Sequence, residues 1–381
     1  MPSNKKWRIH NPDGSKRVVV TKELPGTRWL EVLEGAGCRV EICTSEDVLS
    51  IADIKAAIGH SCDGAIGQLT EAWGDELFSA LKAAGAGVYS NYAVGFNNVD
   101  IAAATRHGIP VGNTPGVLTE TTAEMAVALT FAAARRLGEA QRFLRRGHFK
   151  GWLPRLFVGE QLQSKTVGLI GAGRVGAAYG RMMVEGHKMN LIYFDLYPNK
   201  ALEAYVAAYS NFLVVRGESP LICRRMDTVE ELLETADCVS IHTVLDDTTR
   251  HLINAGRLDR MKENALLINT ARGPVIKEDD LVAHCRKHPD FRVGLDVFEN
   301  EPALAPGLID LDNIVAVPHI ASATLWTRSG MATLAACNVA GILNGYPAWS
   351  HPDILAFLED NPPQAAPSIL NADELGLCQN F

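Results

Sequence analysis

No two of the eight cysteines form a C-x-x-C pair; Cys38, Cys43, Cys62, Cys223, Cys238, Cys285, Cys337 and Cys378 are scattered. That excludes the common zinc-ribbon and thioredoxin-like patterns, and several of these thiols fall in apolar runs, where free cysteine packs as a small hydrophobe. A reducing compartment and no structural zinc are expected. Long apolar runs are missing as well. None reaches the roughly 20 residues a membrane-spanning helix needs, and MPSNKKWRIHNPDG at the start lacks the apolar core of a secretory signal. Positive charge is not in excess: 36 Lys and Arg face 44 Asp and Glu, a net charge of −8 that argues against a general nucleic-acid binder. His284 and His288 have helical metal-ligand spacing, but their neighbours Arg286 and Lys287 point to a solvated helix face, so no metal is expected.

At 381 residues, 47% hydrophobic and 21% charged, the chain suits a soluble globular protein of two domains. It is organised around residues 165–195, KTVGLIGAGRVGAAYGRMMVEGHKMNLIYFD. A β-branched apolar run at 166–170 reads as a buried strand, 177–184 as a one-sided helix and 190–194 as a second strand ending on Asp195. Between them Gly171, Gly173 and Gly176 have G-x-G-x-x-G spacing. Gly171 permits a tight turn, Gly173 a close approach of pyrophosphate to the backbone, and Gly176 close contact of helix and strand. The helix start offers N–H groups and a positive dipole end. Asp195 is placed to accept hydrogen bonds from the adenosine ribose, which favours NAD over NADP; nearby Lys200 tempers that preference.

Elsewhere strands and helices alternate. Strands are read at 17–21, 38–43, 63–67, 88–90 and 109–112, with helices at 27–34, 50–58, 74–84 and 99–106. After residue 225 the rhythm resumes with strands at 238–242, 265–269, 292–295 and 314–317. Such alternation implies parallel sheets covered on both faces, with ligands beyond the strands' carboxyl ends. Two loops of the first part lie there: 68–71, and 90–100, where the Val94 and Gly95 amides could meet a small anion, or where Asn97 and Asn98 simply make a turn. A helix from Thr119 to Leu137 marks the crossing between domains, another at 324–345 the return, and the tail from Ser350 reads as loosely held. In the aromatic-rich loop 147–158, Trp152 and Phe157 are either buried anchors or contacts to a second subunit.

Arg272, Glu301 and His319 punctuate strand ends of the second part. An arginine fork binds a carboxylate at two points and polarises an adjacent carbonyl. An imidazole gives or takes a proton near neutral pH while a carboxylate holds its tautomer. Together they suit hydride addition to a 2-oxo acid, with His319 supplying the proton. Singly, each has a duller reading as a turn, surface or strand-end residue.

The motifs VGLIGAGRVG, INTARGPVI, GLDVFENEP and VPHIASAT resemble the D-isomer-specific 2-hydroxyacid dehydrogenase family over nearly the whole chain. PGTRW, CDGAIGQLTE, NYAVGFNNVD, GNTPGVLTETTAEMA, GWLPRLFVG and RMMVEGHKMNLIYFDLY are similar to its plant-type NADH-dependent hydroxypyruvate reductase branch. The resemblance implies an α/β fold of two doubly wound parallel-sheet domains. A Rossmann dinucleotide-binding domain, 119–322, would be inserted into a flavodoxin-like substrate domain, 1–118 and 323–381. It implies Arg272, Glu301 and His319 as the catalytic set and substrate contacts from Val94, Gly95 and Ser322. Cofactor contacts would come from Thr122, Arg174, Val175, Asp195, Thr243, Ala271 and Asp296 besides the glycines. It further implies NAD(H) as cofactor, reduction of hydroxypyruvate to D-glycerate with glyoxylate as a lesser substrate in photorespiratory-type metabolism, and a homodimer through the nucleotide domains with Trp152 reaching the partner's site. No nucleic acid or membrane partner is expected. Alternatives are a phosphoglycerate or D-lactate-type dehydrogenase and an NADH-sensing corepressor-like module; the loop 68–71 offers no basic cluster for a phosphate. The chain ends Cys378-Gln379-Asn380-Phe381 rather than S-K-L, which leaves the cytoplasm or an organelle matrix, mitochondrial or peroxisomal, as compartments.

Overall fold

The computed structural model describes residues 6–351 and 353–378. The expectations drawn from residues 1–5 and 379–381, on a leader and on the terminal tripeptide, lie outside them. The chain divides into two compact units, residues 1–118 with 323–381, and residues 119–322.

The first unit opens with β1 (Trp7–His10) and β2 (Lys16–Val20), then α1 (Arg28–Gly35), β3 (Cys38–Cys43), α2 (Ile51–Ile58), β4 (Gly64–Gly67), α3 (Asp75–Ala83), β5 (Val88–Asn91), α4 (Ile101–Arg106) and β6 (Val111–Gly112). Its sheet runs β1-β3-β2-β4-β5-β6. Only β1 is antiparallel, paired with β3; the other five strands keep the flavodoxin-like order with its reversal at β2. Val18, Val19 and Val20 in this central strand are wholly buried, as β-branched residues covered on both faces should be. Ser50 and Asp53 close a capping box that starts α2. The strand β1 was not read from sequence, because Trp7, Arg8 and Ile9 are exposed and show no alternation of burial.

In the second unit come α5 (Thr119–Ala134), α6 (Leu137–Arg145), β7 (Thr166–Ile170), α7 (Arg174–His187), β8 (Asn190–Phe194), α8 (Lys200–Val215), β9 (Cys223–Arg225), α9 (Val229–Thr235), β10 (Cys238–Ile241), α10 (Ala255–Leu258), β11 (Leu266–Asn269), α11 (Glu278–Lys287), β12 (Arg292–Leu295) and β13 (Ile314–Ala316). The parallel sheet runs β13-β12-β11-β10-β7-β8-β9, the Rossmann order with its switch between β7 and β10. Tyr179, Met183 and Val184 bury one face of α7 against β7 and β8, each contributing about 1.5–3 kcal/mol of apolar burial. The long helix expected to Leu137 instead stops at Ala134, and Arg136 turns left-handed at φ 54°. At this end the Ala134 carbonyl accepts from the distant Glu160 amide, and the Arg136 guanidinium grips Glu139 at 2.8 and 2.9 Å.

The chain returns to the first unit through α12 (Leu325–Leu343), buried from Gly330 to Gly341. Here the expectation of a loose tail is corrected. A Cβ on Gly341 would lie 2.9 Å from the Ala365 carbonyl oxygen, so the tail presses directly on the helix. Asn371, fully buried, accepts from the Val111 amide at 2.9 Å and donates to the Ile109 carbonyl at 3.0 Å and the Thr105 hydroxyl at 2.9 Å. Asn338 of α12 donates to the Asn113 carbonyl and accepts from the Ser368 amide, both at 2.9 Å.

Candidate active site

The glycine turn follows β7 at the switch point of the second sheet. Gly171 sits at φ 94°, and a Cβ there would meet the His242 carbonyl at 2.8 Å. One on Gly176 would come 2.1 Å from the Gly171 carbonyl oxygen. Around Gly173, the N-cap of α7, nothing lies within 4 Å of such an atom. The start of α7 at Gly173 thus opens onto free space, toward which the main-chain N–H groups and dipole of its first turn are directed, a cradle that fits a pyrophosphate. Asp195, at the end of β8, accepts from the Ala172 amide at 2.8 Å and so ties the second strand to the glycine turn. It stays partly exposed, with carboxylate capacity left for a ribose. Lys200 pairs with Glu203 at 2.8 Å, whereas Arg225 of β9 holds the Asp195 carbonyl at 2.9 Å. The other cofactor candidates are spread over the same unit: Thr122 is buried on α5, Thr243 follows β10 partly exposed, and Ala271 precedes Arg272.

Arg272, Glu301 and His319 follow β11, β12 and β13. The Asn269 side chain donates to the Arg272 carbonyl at 2.9 Å and accepts from the Ala271 amide at 3.0 Å, which sets the exit from β11. The Arg272 guanidinium donates to the Ala271 carbonyl at 2.6 Å. Burial lowers the Arg272 pKa from its usual value and the Glu301 charge opposes the fall. At Gly273 a Cβ would overlap the Phe298 carbonyl at 1.9 Å, so the strands carrying Arg272 and Glu301 approach here as only glycine allows.

His319 Nδ1 lies 2.8 Å from Glu301 Oε2, both side chains 29% exposed. With the carboxylate as acceptor, Nδ1 carries the proton and Nε2 is left for chemistry. Burial alone would push the Glu301 carboxyl up. The hydrogen bond from His319 and the charges of His319 and Arg272, with the Phe298 amide, outweigh it and hold Glu301 below the usual glutamate value. His319 itself adopts φ 52°, with its amide on the Asp296 carbonyl at 2.8 Å. The fully buried Asp296 carboxylate accepts from the amides of Ile320 and Ala321 at 2.6 and 2.9 Å. Burial raises its pKa, those amides opposing. Asp296, singled out as a cofactor contact, is thus also the clamp that forces the His319 turn and places Ser322 directly after it. One cluster therefore gathers Arg272, Glu301, His319 and Asp296.

In the first unit, the loop after β5 is fixed by side chains. Asn113 donates to the Val94 carbonyl at 2.8 Å and Asn91 to the Gly95 carbonyl at 3.1 Å, while Asn98 donates to the Gln68 and Glu71 carbonyls. Among the described residues, no hydrogen bond of this loop uses the Val94 or Gly95 amide. Asn98 is thus more than a turn former. Glu71 points inward to the Trp73 indole at 3.1 Å, so the loop 68–71 does not present it as a ligand. Phe157 is an anchor, edge-on to Phe143 with Arg136 over its ring; Trp152 is 80% exposed. Burial pushes the Cys238, Cys285 and Cys337 thiols up to about 12.

Sequence reading missed the clamp behind Glu301. Glu278 accepts from the Glu299 amide at 2.6 Å and the Ala305 amide at 3.1 Å, and Glu299 accepts from the Glu278 amide at 3.0 Å. His251, at φ 52°, meets Glu299 at 2.6 Å. Only E-D-D at a helix start hinted at this. The solvated face expected for His284 is corrected too: its side chain is 9% exposed and its ring meets the buried Phe291 edge-on.

A dinucleotide cradle at the switch point, with an arginine and a carboxylate-backed imidazole at neighbouring strand ends, defines a nicotinamide-dependent oxidoreductase of the doubly wound α/β class. The chain matches the family described as D-isomer specific 2-hydroxyacid dehydrogenase, NAD binding domain, over residues 127–321. It is 59% identical over 372 residues to a glycerate dehydrogenase of Cucumis sativus, covering 97% of each chain. It is 58% identical over 373 residues to the peroxisomal glycerate dehydrogenase of Arabidopsis thaliana, again with 97% of each covered. Among solved structures, a Thermus thermophilus protein superposes with a TM-score of 0.77 at 35% identity, over 93% of this chain and 99% of that one. The chain belongs to the D-isomer-specific 2-hydroxyacid dehydrogenases, which are NAD-dependent oxidoreductases.

Proposed function

We propose that this enzyme reduces hydroxypyruvate to D-glycerate, with glyoxylate as a slower substrate. The carrying observation is the 2.8 Å contact of Glu301 with His319 Nδ1, beside Arg272 and beyond the carboxyl ends of the same parallel strands as the glycine cradle. NADH, when bound, supplies the hydride for C2 of the substrate. Arg272 grips the carboxylate and draws electron density from the 2-oxo oxygen. The Val94 and Gly95 amides take the carboxylate as well. As charge builds on the oxygen, His319 Nε2 delivers its proton there, and Glu301 stabilises the imidazolium beforehand. Asp195 sets the preference for NADH, since a carboxylate repels a 2′-phosphate. The exposed Trp152, with Phe149 and Leu153, supports a homodimer through the nucleotide unit. A plant relative named as peroxisomal supports an organelle matrix as the compartment.

Initial rates with hydroxypyruvate, glyoxylate and pyruvate, each against NADH and NADPH, test the proposal. Turnover highest with hydroxypyruvate and NADH is expected. Faster turnover with pyruvate would move the enzyme to the D-lactate type, and no turnover with any of the three would overturn it.

A further inference from the structure

We propose that Asp259, His284 and His288 form a binding site for a divalent transition-metal ion of the zinc class, at the sheet end opposite the catalytic cluster. These residues supply one carboxylate oxygen and two imidazole nitrogens, all within 4.8 Å of one another, the one such group among the described residues. A tetrahedral ion with bonds of about 2.0–2.1 Å holds its donors roughly 3.4 Å apart. His284 Nδ1 and Asp259 Oδ1 already stand 3.4 Å apart. The two rings, one helical turn apart along α11, are stacked with centroids 4.4 Å apart.

The His284 ring and the His288 backbone are held before any ion arrives. The His284 ring is fixed by the buried edge of Phe291. The His288 backbone is pinned where α11 ends: its carbonyl accepts from the Asn313 side chain at 3.2 Å, and its amide donates to the His284 carbonyl at 2.9 Å. Asn313 also takes the Cys285 and Phe291 carbonyls, so one side chain organises the whole helix end. Asp259, just past α10, has a side chain 67% exposed and is the donor able to swing in. Two imidazoles with one carboxylate suit copper, nickel or zinc rather than magnesium or calcium, and leave a fourth position for water.

Because α11 connects parallel strands, it runs against them, and its last turn lies at their amino ends. Arg272, Glu301 and His319 lie beyond the carboxyl ends. The ion would therefore bridge the end of α10 to the end of α11 and stabilise the fold without touching the reaction.

Titration of the full-length, tag-free protein with Zn²⁺ against a chelating dye, with Co²⁺ followed by its visible absorption, tests this. Expected are one site of micromolar or tighter affinity, tetrahedral cobalt bands and a melting temperature raised by several degrees under saturating zinc. His288→Ala and Asp259→Asn change exposed or partly exposed groups; each should weaken binding by more than about tenfold and abolish the cobalt bands, with unchanged melting in the absence of metal. Wild-type affinity in both variants, or no stoichiometric site in the parent, would overturn the assignment.

Discussion

The two units solve the same architectural problem differently. In the nucleotide unit, function sits on close main-chain approaches and on charges at strand ends: Gly171, Gly176 and Gly273 each stand where a Cβ would strike backbone, and the catalytic groups leave three adjacent strands. In the substrate unit, order depends on asparagines reaching across the chain, Asn91 and Asn98 around the Val94–Gly95 turn and Asn338 and Asn371 under the tail. The first kind of order carries chemistry, and the second holds a shape for it. Substitutions should divide accordingly, with rate affected in one unit and stability in the other.

The largest separation is expected from Arg272→Ala. Losing the fork should cost roughly 10³-fold in kcat/KM with the melting temperature nearly unchanged; a loss under tenfold would remove Arg272 from the reacting centre. Asn371→Ala should do the reverse. Three hydrogen bonds to buried groups disappear, and about 3 kcal/mol of stability with them by urea denaturation, while kcat per folded molecule is kept. A change below about 1 kcal/mol would mean the tail is loosely held after all.

Glu301 sharpens the comparison, since it serves both ends. Its folded value lies below the usual glutamate value, so the folded state binds that proton less tightly than the unfolded one. The stabilisation is full above the unfolded value of about 4.3 and disappears as pH falls through the folded value. The stability gap between parent and Glu301→Gln, measured by urea titration, should therefore narrow on acidification. A gap that persists unchanged down to pH about 3 would show that the pairing with His319 contributes nothing to the fold.

The same contrast explains what was legible beforehand. Strand β7, β8 and the glycine turn could be read because every requirement there is local: β-branched runs, a fixed glycine spacing and an acid at the strand end. Arg272, Glu301 and His319 were legible as types at strand ends. Their convergence could not be read from spacing, because it depends on Asp296 holding the amides of Ile320 and Ala321, 24 and 25 residues away. The tail was misread for a similar reason. NPPQAAPS has the composition of a loose segment, and nothing in it announces that Asn371 pairs with Val111, 260 residues earlier. The His284 face was misread because Arg286 and Lys287 are charged, while the His284 ring itself packs edge-on against the buried Phe291.

The central claim, that a carboxylate-backed imidazole delivers the proton, is tested most directly by His319→Gln, measured for both turnover and NADH affinity. Expected is a fall in kcat of at least ~100-fold with the NADH dissociation constant within about twofold of the parent, because the glycine cradle belongs to a different strand end. Parental kcat in that variant would contradict it.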